Sequence, residues 1–245
     1  MSRYRAILEY DGTDFSGFQL QLGIRTVQCE VERALSHIAC KNRVVIYGSG
    51  RTDAGVHAKG QVFAFDLDWK HNELDLLRAI NSVLAKDVAV KEICVVDDNF
   101  NPRREAIWRN YQYKIYNSTT RSPLHERDCW IVNKKLEIDN MILGGEFLLG
   151  EHDFASFGKA PDRHGHTVRD VLKIEWMNDN DMIIMDIVGN AFLYRMVRSI
   201  VGTLYMVGTG VWSPTYVQDI LDARNRNMSG PLAPAKGLTL MHVQF

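Results

Sequence analysis

The amino-acid sequence predicts an α+β fold built from two subdomains with the same order of elements. In the first half, hydrophobic periodicity indicates a strand, a helix, two strands, a helix and a strand, and Thr26 and Asn72 are placed to cap the two helices. The second half shows the same order without a visible sequence repeat. Because this order is typical of a ferredoxin-like unit, we expect two such units, 1–103 and 104–245, joined at residues 99–105. Their antiparallel sheets are expected to abut and to leave a central cleft, a common place for a binding site.

Within the first half, apolar and polar residues alternate over 3–10, which predicts a strand. The helix after Thr26 carries an apolar stripe with helical spacing. Two β-rich runs, 44–47 and 61–66, flank a glycine-rich loop, and a second helix separates them from an apolar strand at 88–96. The loop therefore joins two predicted strands.

The second half contains a more varied set of elements. They are strands at 105–116 and 130–132, a helix capped by Asp139 and continuing to Leu149, paired strands at 168–176 and 182–188, a helix at 191–207, a helix started by Ser213 and Pro214, and a strand at 238–245. The polar segment 178–181 is the turn of the strand pair. Residues 151–166 are expected to form a long loop over the cleft.

Composition favours a globular, cytoplasmic protein. Of the 245 residues, 46% are hydrophobic, which is enough for a folded core. The N-terminus begins a strand pattern rather than a signal peptide, and the longest uncharged helical stretch, 199–212, is too short to span a membrane. The four cysteines are far apart and form no Cys-x-x-Cys pair, which is typical of reduced thiols rather than of disulfides or a metal site.

The net charge of −1 does not by itself indicate a nucleic-acid-binding protein. Basic residues are nevertheless clustered at Arg103, Arg104 and Arg109, at Arg163, His164, His166 and Arg169, and at Arg195 and Arg198. Acidic residues concentrate elsewhere, at 66–75 and 179–186. Since local fields decide whether a phosphate backbone binds, the basic clusters are candidate contacts with nucleic acid. The alternative is that they are scattered, solvated surface charges.

The most distinctive segment is GSGRTDAGVH at residues 48–57, which places three glycines around Asp53. Glycine allows positive φ and a close approach of the backbone to a ligand. Arg51 lies two residues before the carboxylate, and a nearby cation favours the ionised form of that group. An ionised carboxylate on a tight, accessible loop is what a nucleophile or a base requires. The residues thus indicate a candidate acidic catalytic loop.

Other interpretations of this loop compete with catalysis. An ordinary turn is the main one, since Asp and Gly are common turn residues and Arg51 would then be a solvated charge. A metal site at Asp53 and His57 is disfavoured, because Gly55 opposes the helix that would align them and no His or Cys cluster follows. A phosphate-binding loop would end in Gly-Lys-Ser/Thr, which is absent.

Four segments carry a resemblance to a known family. They are EYDGTDFSGFQ at 9–19, the loop at 48–57, RNYQY at 109–113 and NAFLYRMVRSIVG at 190–202. In this order they resemble the N-terminal strand and turn, the catalytic motif, the Arg-x-Tyr-x-Tyr strand and the helix near the active site of the tRNA pseudouridine synthase A (TruA) family. The resemblance covers nearly the whole chain and implies the pseudouridine synthase fold, with an RNA-binding cleft between the subdomains.

The resemblance implies that the protein converts uridine in tRNA to pseudouridine with no cofactor and no metal. It implies Asp53 as the catalytic carboxylate, Arg198 as the arginine that pairs with it, and Tyr111 as the ring that packs on the target base. Arg51 is expected either beside the everted nucleotide or as an ion-pair partner of Asp53. Taken from the residues alone, Tyr111 and Tyr113 are equally well explained as core of a half-buried strand, and Arg198 as a helix-surface charge.

The resemblance also implies the partners, which are the anticodon arm of tRNA, modified at positions 38–40, and a second copy of the chain in a homodimer. Segment 151–166 departs most from the usual family sequence, so the resemblance implies no RNA contact there. Three other functions stay open. They are a non-catalytic RNA-binding protein on the same scaffold, a pseudouridine synthase for another RNA, and a metal-dependent hydrolase that uses Asp53 and His57.

Overall fold

The computed structural model describes residues 1–41, 43–160 and 165–245. Over these residues the chain forms ten β-strands and five α-helices, and paired strands are mostly antiparallel. The predicted α+β class is therefore confirmed.

The chain divides into two compact units. Unit 1 comprises residues 1–107 and 239–245, and unit 2 comprises residues 108–238. The division predicted from the sequence, 1–103 and 104–245, placed the C-terminal strand in the second half. In the structure that strand belongs to unit 1.

Unit 1 has the predicted order of elements. They are β1 (Ser2–Tyr10), α1 (Val27–Ile38), β2 (Ile46–Gly48), β3 (His57–Leu67), α2 (Glu73–Val83) and β4 (Val88–Val96). β1 pairs antiparallel with both β3 and β4, and β2 pairs antiparallel with β3, so the strand order is β4-β1-β3-β2. This is the split β-α-β arrangement of a ferredoxin-like unit.

The C-terminal strand completes unit 1. β10 (Leu238–Gln244) pairs in parallel with the first residues of β3. Gly60 makes this approach possible, because a Cβ at that position would overlap the carbonyl oxygen of Met241. The pairing is between strands distant in sequence, so periodicity along the chain could not indicate it.

Alternating burial and aromatic stacking form the core of unit 1. Every second residue of β1 from Tyr4 to Tyr10 is buried. The ring of Phe65 stacks on Tyr4 and on Phe63, with centroids 5.4 and 5.6 Å apart. The buried face of α1 contains the predicted apolar stripe up to Leu35. The sheet and its helices therefore share one apolar core.

Both helix caps predicted in unit 1 are confirmed. The Thr26 side chain accepts a hydrogen bond from the N–H of Cys29 at 3.3 Å, at the start of α1. The Asn72 side chain accepts from the N–H of Asp75 at 2.9 Å, at the start of α2. Each cap satisfies a backbone donor that the first helical turn leaves unpaired.

The described residues of unit 2 form five strands and three α-helices. They are β5 (Trp108–Asn117), β6 (Trp130–Val132), α3 (Ile138–Glu146), β7 (Gly150–Asp153), β8 (Val168–Asp179), β9 (Met182–Gly189), α4 (Met196–Gly208) and α5 (Tyr216–Ala223). Antiparallel pairing gives the order β5-β9-β8-β7, and β6 lies parallel to β5. The predicted pair β8 and β9 is confirmed, and Asn180 makes its turn with φ of 53°.

The helix predicted at 191–207 starts later than expected, because α4 begins at Met196. Arg195 has φ of 65°, a left-handed conformation that cannot continue a right-handed helix. The N–H of Tyr194 instead donates to the carbonyl of Lys159 at 3.2 Å in an isolated bridge. A contact distant in sequence thus overrides the helical pattern of residues 191–195.

Two other predicted helix starts are wrong. α3 begins before Asp139, which therefore lies in the first turn rather than at the cap. α3 also ends before the predicted Leu149, because the N–H groups of Leu148 and Leu149 bond to carbonyls three residues back rather than four. α5 begins at Tyr216, whose N–H bonds to the carbonyl of Ser213, so the predicted start at Ser213 lies in a preceding turn.

Segment 151–166, predicted to be a loop, contains regular structure. It starts within β7 and continues through a 3-10 turn at Phe154–Ser156, and Phe157 after this turn is fully buried. Residues 161–164, which include Arg163 and His164 of a predicted basic cluster, lie outside the described residues.

The four cysteines, Cys29, Cys40, Cys94 and Cys129, are free thiols, as expected from their spacing. None of the helices in the described part of the chain is long and apolar enough to cross a membrane.

An ion pair ties the turn after β1 to the segment before β4. The Arg25 guanidinium donates to both carboxylate oxygens of Asp87, at 2.7 and 2.9 Å, and lies 4.1 Å from the ring centroid of Phe15. The hydrogen bonds from Arg25 lower the pKa of Asp87, although burial acts in the opposite direction. The carbonyl of Asp87 also accepts from the N–H of Asp11 at 3.0 Å. Residues 11–25 are thereby anchored at both ends.

We expect Asp87→Asn to lower the free energy of unfolding by about 1 kcal/mol at neutral pH, because the partly exposed bidentate pair is lost. The pKa of Asp87 is lower in the folded than in the unfolded protein. The ion pair therefore stabilises the folded protein at pH values above the pKa of Asp87 in the unfolded chain, which is about 3.9. This contribution is lost as the pH falls through the pKa of Asp87 in the folded protein. Denaturant unfolding at neutral pH and at about pH 3 measures the difference. Glu92→Gln, which removes an exposed partner 3.8 Å from Arg5, is the control. An Asp87→Asn effect of the same size at both pH values would contradict this account.

Candidate active site

The loop between β2 and β3 holds the candidate carboxylate. Its first residue continues the strand pairing, since the N–H of Ser49 donates to the carbonyl of Val62 at 2.8 Å. The N–H of Val56 donates to the carbonyl of Asp53 at 3.2 Å, and Gly55 between them has φ of 78°. The glycine-rich sequence therefore forms a tight turn directly after the carboxylate.

Two glycines of segment 9–19 allow this loop to lie against the turn after β1. A Cβ on Gly12 would overlap the carbonyl oxygen of Val56, and one on Gly17 would lie 2.8 Å from the carbonyl oxygen of Thr52. Gly17 also has φ of 91°, which other residues rarely adopt. A side chain at either position would push the loop away. Sequence reasoning noted these glycines only as part of a family motif.

Hydrogen bonds fix the residue that precedes the carboxylate. The N–H of Phe18 donates to the carbonyl of Thr52 at 3.1 Å. The hydroxyl of Tyr10, at the end of β1, lies 2.8 Å from Thr52 Oγ1 in a buried setting. Thr52 is thus held through its main chain and its side chain, and Asp53 follows it half-buried.

His57 supports the loop from its far end. Its buried Nδ1 accepts a hydrogen bond from the N–H of Gly12 at 3.0 Å. The same atom lies 3.1 Å from the Asp11 carboxylate. Among the described residues, Asp53 and His57 belong to no group of three side chains able to hold a metal ion.

Arg51 is exposed on the same loop. Within the described ranges, no salt bridge joins Arg51 to Asp53. The guanidinium is therefore accessible to a ligand rather than held on the neighbouring carboxylate.

Tyr111 and Tyr113 share one face of β5 in unit 2, but their surroundings differ. Tyr113 is fully buried, and its hydroxyl donates to the carbonyl of Pro234 at 2.8 Å. Burial raises the pKa of Tyr113, although the charge of Arg198 acts in the opposite direction. Tyr111 is only half-buried, and its ring meets that of Phe192 edge-on with centroids 5.2 Å apart. Tyr113 is thus core, whereas Tyr111 is partly accessible.

Arg198 lies in the first turn of α4 and is half-buried. Its Nε donates to the carbonyl of Ala233 at 2.8 Å, and the N–H of Ala233 donates to the carbonyl of Arg198 at 3.2 Å. This reciprocal contact gives the guanidinium a defined position on a mostly buried helix. Of the four predicted site residues, Asp53 and Arg51 belong to unit 1, and Tyr111 and Arg198 belong to unit 2.

The predicted basic clusters differ in exposure. Arg169 is only 8% exposed, and its guanidinium donates to the carbonyls of His166 and Val168 at 3.0 and 2.6 Å. Burial lowers the pKa of Arg169. Arg103 and Arg104 are exposed. Arg169 is therefore part of the structure of unit 2 rather than a surface cation.

Comparison with known proteins places these features in a family. Residues 6–103 and 146–245 match the family model described as tRNA pseudouridine synthase. The chain is 40% identical to tRNA pseudouridine synthase A of Fervidobacterium nodosum and 40% identical to that of Pseudothermotoga lettingae, each over 100% of both chains. It is 38% identical to the protein of the same name from Francisella tularensis subsp. novicida, over 100% of this chain and 95% of the other.

The protein is thus an isomerase that acts on uridine in tRNA. It belongs to the tRNA pseudouridine synthase family. The resemblance carried by the four sequence segments is thereby confirmed. The ranges matched by the family model contain Asp53 and Arg198, whereas Tyr111 lies between them.

We expect Gly12→Ala to destabilise the protein by about 1–3 kcal/mol, because its Cβ would overlap the carbonyl oxygen of Val56 and force the loop to move. Thermal unfolding measures the loss. Gly50→Ala is the matched control for stability, since no atom lies within 4 Å of a Cβ built there. If both variants unfolded at the same temperature, the backbone contact would not be what holds the loop.

Proposed function

We propose that the protein isomerises uridine to pseudouridine in the anticodon stem-loop of tRNA, at positions 38–40, with Asp53 as the catalytic carboxylate and without a cofactor. The observation that carries the proposal is the pair of hydrogen bonds to Thr52, the residue directly before Asp53. One involves the main chain of Thr52 and the other its side chain. A carboxylate next to such a residue keeps a defined position without being buried.

The reaction balances within the nucleotide. The bond from C1′ to N1 breaks, the uracil turns, and a bond from C1′ to C5 forms. C5 loses a proton and N1 gains one, so no electrons enter or leave. Such a rearrangement calls for fixed charges near the sugar and base rather than for a redox group.

Asp53 can act by three routes. Its carboxylate can attack the sugar, attack the base, or remove the 2′ proton. Each route starts from an ionised oxygen close to the everted nucleoside, and that anion can stabilise the positive charge that develops at the sugar as the glycosidic bond loosens. The half-buried position of Asp53 supports all three equally.

In this proposal Tyr111 packs on the target base. A flat aromatic ring holds an everted pyrimidine by stacking, which contributes ~1–3 kcal/mol per base. What supports Tyr111 rather than Tyr113 is burial, since the first ring is partly accessible and the second is enclosed.

We assign to Arg198 the role of orienting the Asp53 carboxylate, as a charge-assisted pair does. The bond from its Nε to the carbonyl of Ala233 supports this role, because a fixed guanidinium loses little freedom when it engages a carboxylate. We assign Arg51 either to the position in the base stack that the everted nucleotide leaves or to a contact with the phosphate of that nucleotide. The exposure of Arg51 supports this assignment.

Everting a base costs a few kcal/mol. We propose that phosphate contacts from exposed basic residues such as Arg103 and Arg104 offset this cost. The major groove of A-form RNA is too narrow for side chains, so the anticodon arm would be selected by shape. A cytoplasmic homodimer, in which one protomer grips the body of the tRNA while its partner presents the loop, completes the proposal. A non-catalytic RNA-binding protein on the same scaffold is the alternative, and it would bind tRNA without turnover.

We expect Asp53→Asn to lower the rate of pseudouridine formation by at least about 10²-fold, the lower end for loss of a positioned acid or base. Tritium release from tRNA labelled at uracil C5 gives the rate, and a filter-binding assay gives tRNA affinity, which should be retained. Asp14→Asn, at an exposed carboxylate, is the matched control. Turnover by Asp53→Asn close to the wild-type rate would remove Asp53 from its role. Binding without turnover by the wild-type protein would favour the non-catalytic alternative.

We expect Tyr111→Phe to keep most of the activity and Tyr111→Ala to lose about 1–3 kcal/mol of transition-state stabilisation, because stacking depends on the ring and not on the hydroxyl. Steady-state kinetics on unmodified tRNA measures both variants. Tyr47→Ala, which removes an exposed ring elsewhere, is the control. A Phe variant as impaired as the Ala variant would assign the role to the hydroxyl.

A further inference from the structure

A second cluster of reactive side chains lies in unit 2, on the connection from β5 to β6. His125 ends a 3-10 turn at Pro123–His125, and Asp128 and Cys129 directly precede β6. His125 Nδ1 lies 3.6 Å from Asp128 Oδ1, and Cys129 Sγ lies 3.4 Å from the same oxygen. The three donor atoms all lie within 4.8 Å of one another. The local path of this connection thus places a nitrogen, an oxygen and a sulfur close together.

The environment of His125 suggests a missing partner. Its Nδ1 is buried and, among the described residues, has no hydrogen-bond partner. Buried polar nitrogens are almost always bonded, so an orphaned one calls for an explanation. The side chain is held by the Tyr116 ring, whose centroid lies 5.2 Å from that of the imidazole. The nitrogen is therefore fixed while facing the carboxylate and the thiol.

Hydrogen bonds position the other two side chains. Lys114 Nζ donates to Asp128 Oδ2 at 3.1 Å, which leaves Oδ1 facing the cluster. Cys129 is fully buried, and its thiol donates to Asp128 Oδ1 at 3.4 Å. The carboxylate and the sulfur are therefore already in contact at the point where a metal ion would bind.

We propose that His125 Nδ1, Asp128 Oδ1 and Cys129 Sγ form a zinc-binding site, with the fourth tetrahedral position open to water. Around tetrahedral Zn²⁺, with ligand bonds of ~2.0–2.3 Å, neighbouring nitrogen and oxygen ligands are about 3.3 Å apart, and sulfur and oxygen about 3.5 Å. The corresponding distances of 3.6 and 3.4 Å are close to these values. Nδ1 and Sγ lie within 4.8 Å of each other, and these two atoms would approach when the ion binds.

The donor set selects the kind of metal. A thiolate and an imidazole suit Zn²⁺, whereas Mg²⁺ and Ca²⁺ prefer oxygen ligands. On binding, the Cys129 thiol gives its proton to solvent, and the thiolate and the Asp128 carboxylate together neutralise the two charges of the ion. Lys114 stays on the other carboxylate oxygen and keeps Asp128 oriented.

Binding of a metal ion at this site would stabilise the connection from β5 to β6. Between the end of β5 and the start of β6, the chain has no regular element besides the 3-10 turn. A metal ion held at 125, 128 and 129 would pin this connection against β5. The inference does not rest on the proposed function, since no residue of the site is assigned a part in the reaction.

The test uses the full-length protein freed of metal by a chelator and then titrated with Co²⁺ and Zn²⁺ alone. Co²⁺ bound to a thiolate gives a charge-transfer absorption in the near ultraviolet, and Zn²⁺ displaces it. We expect one equivalent of Co²⁺ with this absorption in the wild type, and a higher unfolding temperature with Zn²⁺. Cys129→Ala should lose the absorption, and His125→Ala should weaken Zn²⁺ binding by roughly 100-fold or more.

Cys40→Ala is the matched control, because Cys40 is an exposed thiol that could bind metal adventitiously. It should leave the absorption and the stoichiometry unchanged. His125 is half-exposed, so its variant tests the site even where loss of the buried Cys129 disturbs folding, which circular dichroism would report. The proposal is overturned if the wild type gives no absorption, if Cys129→Ala keeps it, if Cys40→Ala loses it, or if His125→Ala binds Zn²⁺ as the wild type does. Pseudouridine formation by His125→Ala, assayed in parallel, separates this outcome from the proposed function.

Discussion

The close contact between the turn after β1 and the loop after β2 is the constraint on which the candidate site depends. Gly12 and Gly17 leave no side chain between the two backbones, and the hydrogen bond from Phe18 to Thr52 crosses the same gap. The sheet supports the contact, since β1 leads into one segment and β3 leaves the other. The ion pair of Arg25 and Asp87 then anchors the turn from outside. The loop that carries Asp53 therefore owes its position to the main-chain contacts on either side of that residue.

Electrostatics in this protein is local. A net charge of −1 indicates little about RNA binding, because burial decides what each basic residue does. The guanidinium of Arg169 donates to the carbonyls of His166 and Val168. Arg198 donates to the carbonyl of Ala233. Arg51 and Arg103, by contrast, are exposed. The arginines of the predicted clusters therefore differ in burial, since Arg169 is enclosed in unit 2 whereas Arg103 and Arg104 are exposed.

The candidate zinc site and the predicted acidic loop show how differently two sites can be encoded. The loop is contiguous in sequence, so its ten residues can be recognised as one motif. His125, Asp128 and Cys129 are also near one another in sequence, but their spacing matches no familiar pair of metal ligands, and we expected no metal. The signal that could have found them was a histidine and a cysteine in one short connection. That spacing indicates a metal site only once the structure shows that His125 Nδ1 is buried and, among the described residues, has no hydrogen-bond partner.

The sequence by itself determined the α+β class, the order of elements in unit 1, the caps at Thr26 and Asn72, and the loop that carries Asp53, because periodicity, capping and glycine content act over a few residues. Only the tertiary structure decided where α4 begins, which unit receives β10, and which of Tyr111 and Tyr113 is enclosed. The left-handed Arg195, the parallel pairing with β3 and the bond from Tyr113 to Pro234 all depend on partners far along the chain. Local patterns contain no information about such partners, and the free energy of those contacts exceeds the weak local preference that they override.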